Sequence, residues 1–326
     1  MNRIAFYLAS GCSGCEMSFL DLSERLLDVM DGLEVVWAAP LLMDSKYHDL
    51  AELEDRYIDV AFIEGGIKLD EQEEIVRLLR KKSKVLVAFG VCATSGGIPG
   101  LSNFHSREEV FETVYRKSVT VDNPDGVYPQ TTTLLNGKYE LTLPTFYERV
   151  VPIDRIVEVD YYVGGCPPHY DHVAKVLEVL KKEPPEKGSW ITSGRAVCDV
   201  CPRNPVPKGE KIKMMDSVKR VLEIPSDDSC LLEQGFLCFG PASQGDCRAA
   251  CINVNMSCRG CGGPMPSAGD YGAKVIDFIS SLIEKDGVVD EISRAYPSLA
   301  RLIYAYTLPS ALIPGRVRKY HVREVD

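Results

Sequence analysis

Apolar residues in the first half of the chain fall into short unbroken runs alternating with stretches whose apolar positions recur every three or four residues. The run Ile4-Ala5-Phe6-Tyr7-Leu8-Ala9 has strand length, and the stretch 17–30 carries Phe19, Leu22, Leu26 and Met30 on one helical face. Further strands are predicted over 33–40, 58–63, 84–89 and 156–163. Between them, 69–82 reads as a helix with Ile75, Val76, Leu78 and Leu79 on its apolar side and Lys81 and Lys82 at its C-terminus. A second helix follows Pro168, with Val173, Val176, Leu177 and Leu180 on one face. Residues 106–117 are predicted to be helical. The stretch 119–150 breaks the rhythm with Asp125-Gly126, Asn136-Gly137 and several prolines, and predicts an inserted loop with a hairpin. Alternating strands and helices predict an α/β fold, a doubly wound parallel sheet of flavodoxin-like type.

Beyond Lys181-Lys182-Glu183-Pro184-Pro185 the composition changes, which places a domain boundary there and divides the chain into 1–183 and 184–326. Residues 198–261 are rich in glycine and proline and leave little room for long elements. From 272 on, Val275, Ile276, Ile279, Leu282 and Ile283 predict a helix, and 288–312 predicts further helical packing. The expectation is a smaller, cysteine-rich second domain closed by C-terminal helices.

The 326 residues carry a formal net charge of −10, which argues against a nucleic-acid binder, since such binding depends on neutralising phosphates. The tail containing Arg316, Arg318, Lys319 and Arg323 is the local exception, and is expected to be a solvated or partner-facing end. No run approaches the roughly 20 apolar residues of a membrane span. The chain passes from Met1-Asn2-Arg3 directly into the first predicted strand, so a soluble cytoplasmic protein is expected.

Twelve cysteines change the picture most. Disulfides are rare in reducing compartments, where clustered cysteines bind metal or do redox work. Cys12 and Cys15 lie in a strand-to-helix turn, Gly11-Cys12-Ser13-Gly14-Cys15-Glu16, where a thioredoxin-type dithiol is one reading. Cys92 and Cys166 also follow predicted strands directly, so four thiols are expected at one end of the sheet, where ligands bind in open α/β folds. Together they can close a four-cysteine metal site. Glu64 ends a strand on the same side, as an acceptor behind the thiols or simply as a capping or solvated residue. The other eight are Cys198, Cys201, Cys230, Cys238, Cys247, Cys251, Cys258 and Cys261. Structural zinc would use the same C-x2-C pairs. The irregular spacing and the Cys-Pro steps Cys166-Pro167 and Cys201-Pro202 favour iron–sulfur centres.

These motifs carry a resemblance that covers nearly the whole chain. Cys12-Ser-Gly-Cys15-Glu16, Gly90-Val-Cys92-Ala93, Gly164-Gly-Cys166-Pro167, Cys198-Asp-Val-Cys201-Pro202-Arg203, Cys230 to Gly235, Cys238-Phe-Gly240-Pro241 and Cys258-Arg-Gly-Cys261-Gly-Gly-Pro264 follow one another in order. The ordered set resembles the small subunit of nickel–iron hydrogenases, most closely the cytoplasmic methyl-viologen-reducing type that works with heterodisulfide reductase. The resemblance implies an oxidoreductase subunit that passes electrons, with the H2-activating site on a large-subunit partner and no catalytic residue set in this chain. It implies a proximal 4Fe–4S cluster on Cys12, Cys15, Cys92 and Cys166, with Glu16 near the partner's metal centre and a possible proton path. Periplasmic members open the distal site with a histidine, where this chain has Cys198, giving a distal set of Cys198, Cys201, Cys230 and Cys238. Their medial site has a proline where Cys251 stands, giving a medial set of Cys247, Cys251, Cys258 and Cys261. Three 4Fe–4S clusters are therefore expected, together with a ferredoxin-like or 2Fe–2S accepting subunit linking to heterodisulfide reductase. A deazaflavin-reducing or NADP- or sulfur-linked homologue would share most of these cysteines. The one-cluster subunit of complex-I-like enzymes differs in having adjacent cysteines in its first motif and no second domain.

Overall fold

The computed structural model describes residues 2–40, 43–220 and 222–312; the basic tail at 316–323 lies outside the described residues. Six parallel strands form the central sheet: β1 (Arg3–Leu8), β2 (Glu34–Ala39), β3 (Ile58–Glu64), β5 (Ser83–Phe89), β9 (Tyr161–Val163) and β10 (Ser189–Trp190). Their order, β10-β9-β5-β3-β1-β2, is flavodoxin-like with one added edge strand. Alternation along each strand sends side chains to opposite faces. Ala5, Tyr7, Ala61 and Ile63 face one core, closed by α3 (Tyr47–Glu52) and α4 (Asp70–Lys82). Ile4, Phe6, Val60 and Phe62 face the other, closed by α1 (Gly14–Leu20), α2 (Arg25–Met30) and α7 (Tyr170–Lys182).

The helix predicted over 17–30 is two helices. Ser23 adopts a left-handed backbone at φ 52° between them, yet Phe19, Leu22 and Leu26 still pack on the sheet. Periodicity reports which face is buried and is blind to a break that keeps that face in place. The predicted strand 156–163 pairs only over β9, because residues 153–155 form a 3-10 turn and Asp160 commits its side chain to the Leu86 N–H. The polar stretch after β2 contains the short helix α3, tied down by Leu50 in the core. Within 119–150 the expected hairpin forms as β6 (Thr132–Leu135) and β7 (Tyr139–Thr142) around Asn136-Gly137. An unforeseen strand, β8 (Phe146–Val151), pairs antiparallel with β4 (Ile67–Leu69). The short helices α5 (Val91–Ser95) and α6 (Arg107–Glu112) complete this half.

The second half packs on two further cores. One gathers α9 (Tyr271–Ser280), α10 (Asp286–Ala295) and α11 (Leu299–Ile303) against Met215, Leu237 and Phe239. The other, around Leu231, Leu232 and Phe236, includes Cys238, Cys258 and Ile252 of α8 (Ala250–Asn253). The helix predicted from 272 stops at Ser280; Leu282 lies in a turn and Ile283 bridges to Met215, whose N–H donates to the Leu282 carbonyl.

Asp160 fastens the far end of the sheet. Its carboxylate is 2% exposed and accepts from Arg80 at 2.6 Å, Lys187 at 2.5 Å and the Leu86 N–H at 2.8 Å. Burial alone would raise its pKa; the three donors outweigh burial and lower it. Its contribution to stability is therefore complete above the ordinary Asp value near 3.9 and is lost as pH falls through the folded-state value. Asp160→Asn is expected to cost about 3 kcal/mol at neutral pH and to flatten the acid limb of a stability–pH curve measured by urea unfolding.

Candidate functional site

The carboxyl ends of β1 and β3 are stitched together just before the first cysteine. Ser10 and Gly66 exchange backbone hydrogen bonds of 2.9 and 3.0 Å, and the Ala9 N–H donates to the Glu64 carbonyl at 2.9 Å. Gly65 permits this approach: at φ +85°, a Cβ would stand 2.8 Å from the Ser10 backbone. The turn then exposes Cys12, and α1 begins at Gly14 and buries Cys15. Phe6, Phe19, Phe62 and Phe89 pack at centroid distances of 5.0–5.7 Å and clamp α1 onto the sheet beneath Cys15. Cys92 sits in the first turn of α5, after β5, and Cys166 follows β9. A Cβ on Gly90 (φ +86°) would lie 2.2 Å from the Cys15 sulfur. The sheet therefore brings together the four thiols expected of its strand ends. Burial raises the Cys15 thiol pKa well above normal, and Glu64, Cys92 and Cys166 add to it. Cys92 is pushed up to about 12 by burial, then by Cys166, Cys12 and Glu64. Cys166 is raised by burial and then by Cys12.

Glu64 is buried and accepts the Cys15 N–H at 3.1 Å, which caps the first turn of α1. Glu16 is also buried; burial first and Glu64 second raise its pKa to about 7. Neither of its carboxylate oxygens has a hydrogen-bond partner among the described residues.

Cys198, Cys201, Cys230 and Cys238 line one cavity, shared with Arg203, Asn204, Ile212, Leu231, Leu232 and Ile252. Burial raises Cys198, and Cys238, Cys230 and Cys201 raise it further. Nearby backbone N–H groups favour the charged form of these sulfurs: Arg203 and Asn204 at Cys201, Leu232 and Glu233 at Cys230, Gly240 and Cys258 at Cys238. Arg203 is buried, and its guanidinium holds the Asp227 and Ser229 carbonyls at 2.6 and 3.1 Å, fixing the loop before Cys230.

Of the remaining four, Cys261 stands nearest the other three, Cys247, Cys251 and Cys258, and Cys258 lies between Cys261 and Cys238. Burial pushes Cys261 up to about 12, with Cys247, Cys251 and Cys166 adding to it. Cys166 belongs to the sheet-end set, and Cys258 donates its N–H to the Cys238 sulfur of the cavity set at 3.3 Å. Cys258 and Cys261 thus lie between the sheet-end set and the cavity set. Backbones meet at the same seam, where a Cβ on Gly164 would stand 2.1 Å from the Gly262 carbonyl oxygen. Tyr271 and Tyr306, both raised by burial and then by cysteines of this region, belong to the site although no motif marks them. No group of three or more His, Cys, Asp or Glu side chains among the described residues could hold a single metal ion.

The profile of the NADH ubiquinone oxidoreductase 20 Kd subunit family matches residues 12–180. The iron–sulfur subunit of an F420-non-reducing hydrogenase from Archaeoglobus profundus is 49% identical over 319 residues, covering 97% of this chain and 99% of its own. A subunit of the F420-non-reducing hydrogenase from Methanothermobacter marburgensis is 40% identical over 324 residues, or 97% of each chain. The chain belongs to this family of F420-non-reducing hydrogenase subunits. Its first half also places it in the wider 20 Kd subunit family, while the cysteine-rich second half lies beyond that match. The NiFeSe hydrogenase from Desulfovibrio vulgaris Hildenborough superposes with a TM-score of 0.50 at 16% identity, over 82% of this chain and 96% of that one, a likeness of fold alone. Among the described residues, no helix of this hydrogenase subunit is long and apolar enough to cross a membrane.

Gly90 and Gly188 separate two costs of adding a side chain. Both run at φ +86°, but a Cβ at Gly188 meets nothing within 4 Å, whereas at Gly90 it meets the Cys15 sulfur. Gly188→Ala is expected to cost about 1 kcal/mol of backbone strain, and Gly90→Ala about 2 kcal/mol more, in chemical denaturation.

Proposed function

We propose that this subunit carries electrons between a nickel–iron site on a hydrogenase large subunit and an acceptor subunit, through three 4Fe–4S clusters in series. The gathering of twelve cysteines into three adjoining sets of four carries this conclusion. Cys12, Cys15, Cys92 and Cys166 would hold the proximal cluster, and Cys247, Cys251, Cys258 and Cys261 the medial one. Cys198, Cys201, Cys230 and Cys238 would hold the distal one. When bound, such clusters supply reversible one-electron storage.

The donor sets fit clusters better than zinc. A zinc ion draws its sulfurs to about 2.3 Å from a single point. Here the irregular spacing between the cysteine pairs and the Cys166-Pro167 and Cys201-Pro202 steps follow iron–sulfur runs rather than zinc pairs. The protein supplies thiolates, N–H donors near the sulfurs, and burial that keeps water away. Hydrogen bonds and solvent exposure of this kind set iron–sulfur potentials. Exposed Cys12, with exposed Met17, Leu20 and Ile98 on neighbouring elements, offers the face that the large subunit would cover. Activation of H2 belongs to that partner. The acceptor is a ferredoxin-like or 2Fe–2S subunit feeding heterodisulfide reductase, and the complex works in the cytoplasm.

Anaerobically purified complex is expected to contain about twelve iron and twelve acid-labile sulfide per copy of this chain, from three four-iron sites. About three zinc without sulfide would mean a stapled scaffold instead. Cys251 lies in the first turn of α8, where proline is tolerated. Cys251→Pro is expected to remove about one iron and to give a 3Fe–4S signal by electron paramagnetic resonance; an unchanged cluster would remove Cys251 from the ligands.

A further inference from the structure

Where the medial and distal sets meet, two buried hydroxyls stand beside the sulfurs. Ser243 is fully enclosed and Tyr271 nearly so, with their oxygens 3.0 Å apart. Ser243 Oγ donates to the Phe239 carbonyl at 2.7 Å and lies beside the Cys258 sulfur, whose thiolate it favours. The Tyr271 hydroxyl fills the space over Gly260, inside the Cys258-x2-Cys261 loop. A Cβ on Gly260 would lie 1.9 Å from it, and the glycine runs at φ +88°. The ligand loop is therefore shaped around this hydroxyl. On the far side, the Phe239 N–H donates to the Cys258 carbonyl at 3.0 Å, which holds the segment around Phe239 against the same loop.

A serine hydroxyl has one proton and can rotate it between acceptors. Ser243 faces two, a neutral carbonyl and a ligand sulfur. Tyr271, a donor at its own oxygen, can satisfy a lone pair of Ser243 Oγ and leave the serine proton free to turn. We propose that Ser243, oriented by Tyr271, is a hydroxyl switch that raises the reduction potential of the medial cluster by turning its O–H to the Cys258 sulfur when that cluster takes up an electron. This rests on the assignment of Cys258 to the medial set. One electron arrives from the neighbouring cluster, no proton leaves Ser243, and only its hydrogen bond changes acceptor. Added negative charge is shared by the ligand sulfurs, and a hydrogen bond to a charged acceptor is roughly twice as strong as one between neutral groups. The enclosed site leaves Ser243 placed to respond in water's stead. Ser243 and Tyr271 are positioning residues, acting on the cluster through the sulfur.

The test uses the intact hydrogenase complex carrying Ser243→Ala or Tyr271→Phe, each removing a hydroxyl at little change in shape. Midpoint potentials of the clusters are read by redox titration with electron paramagnetic resonance. Exchangeable protons are read by electron–nuclear double resonance after transfer to D2O. Ser243→Ala is expected to shift only the medial potential, to a more negative value, and to abolish one exchangeable-proton coupling. Tyr271→Phe is expected to give a smaller shift in the same direction while keeping that coupling. An unmoved medial potential in both fully loaded variants would overturn the switch, as would persistence of the coupling in Ser243→Ala. Should Ser243→Ala lose iron, Tyr271→Phe decides by its potential alone. Wild-type complex holding well under about twelve iron would instead fail the cluster assignment itself.

Discussion

Burying a thiolate among other thiolates is unfavourable twice over, because it loses hydration and faces like charge. In this protein the neighbours acting on Cys15 and Cys92 include a carboxylate and further cysteines, and burial pushes nearly every set upward. A cationic inorganic core at the centre of each proposed set would reverse that balance, since metal coordination holds thiols deprotonated. Folding and cofactor loading would then be one process, most of all in the second half, where residues 198–261 have short elements and a small core of their own.

Backbone geometry serves the same end. Backbone N–H groups of the irregular loops lie near the sulfurs and favour their charged form, and the Cys258 N–H donates to the Cys238 sulfur. Irregular structure is thus offset by the ligands it surrounds. Gly65 and Gly90 let chain and sulfur approach to distances that a Cβ would forbid, and Gly164 lets the sheet end touch the Gly262 loop. Cys166 and Cys261, and then Cys258 and Cys238, are the points where one set reaches the next. Continuity from sheet end to distal cavity depends on these contacts rather than on any long element.

Much of this was legible beforehand. Strand runs and helical faces were clear enough to predict a doubly wound sheet, and Cys12, Cys15, Cys92 and Cys166 could be placed at its carboxyl end because each follows a strand directly. The break at Ser23 was hidden, since both helix pieces keep Phe19, Leu22 and Leu26 on the same core. β8 was hidden within a turn-rich insertion because its partner, β4, is only three residues long and lies far away in sequence.

By itself the sequence determined the kinds of element, the end of the sheet on which the first four thiols lie, and the order of cysteine motifs that carries the family resemblance. These are local properties, written in spacing and in the residues beside each cysteine. Only the tertiary structure decided that Cys166 reaches Cys261, that the Cys258 N–H points at the Cys238 sulfur, and that Ser243 and Tyr271 are enclosed beside them. A serine and a tyrosine carry no signature of their own. Their significance comes from which sulfur lies next to them once segments distant in the chain have packed together.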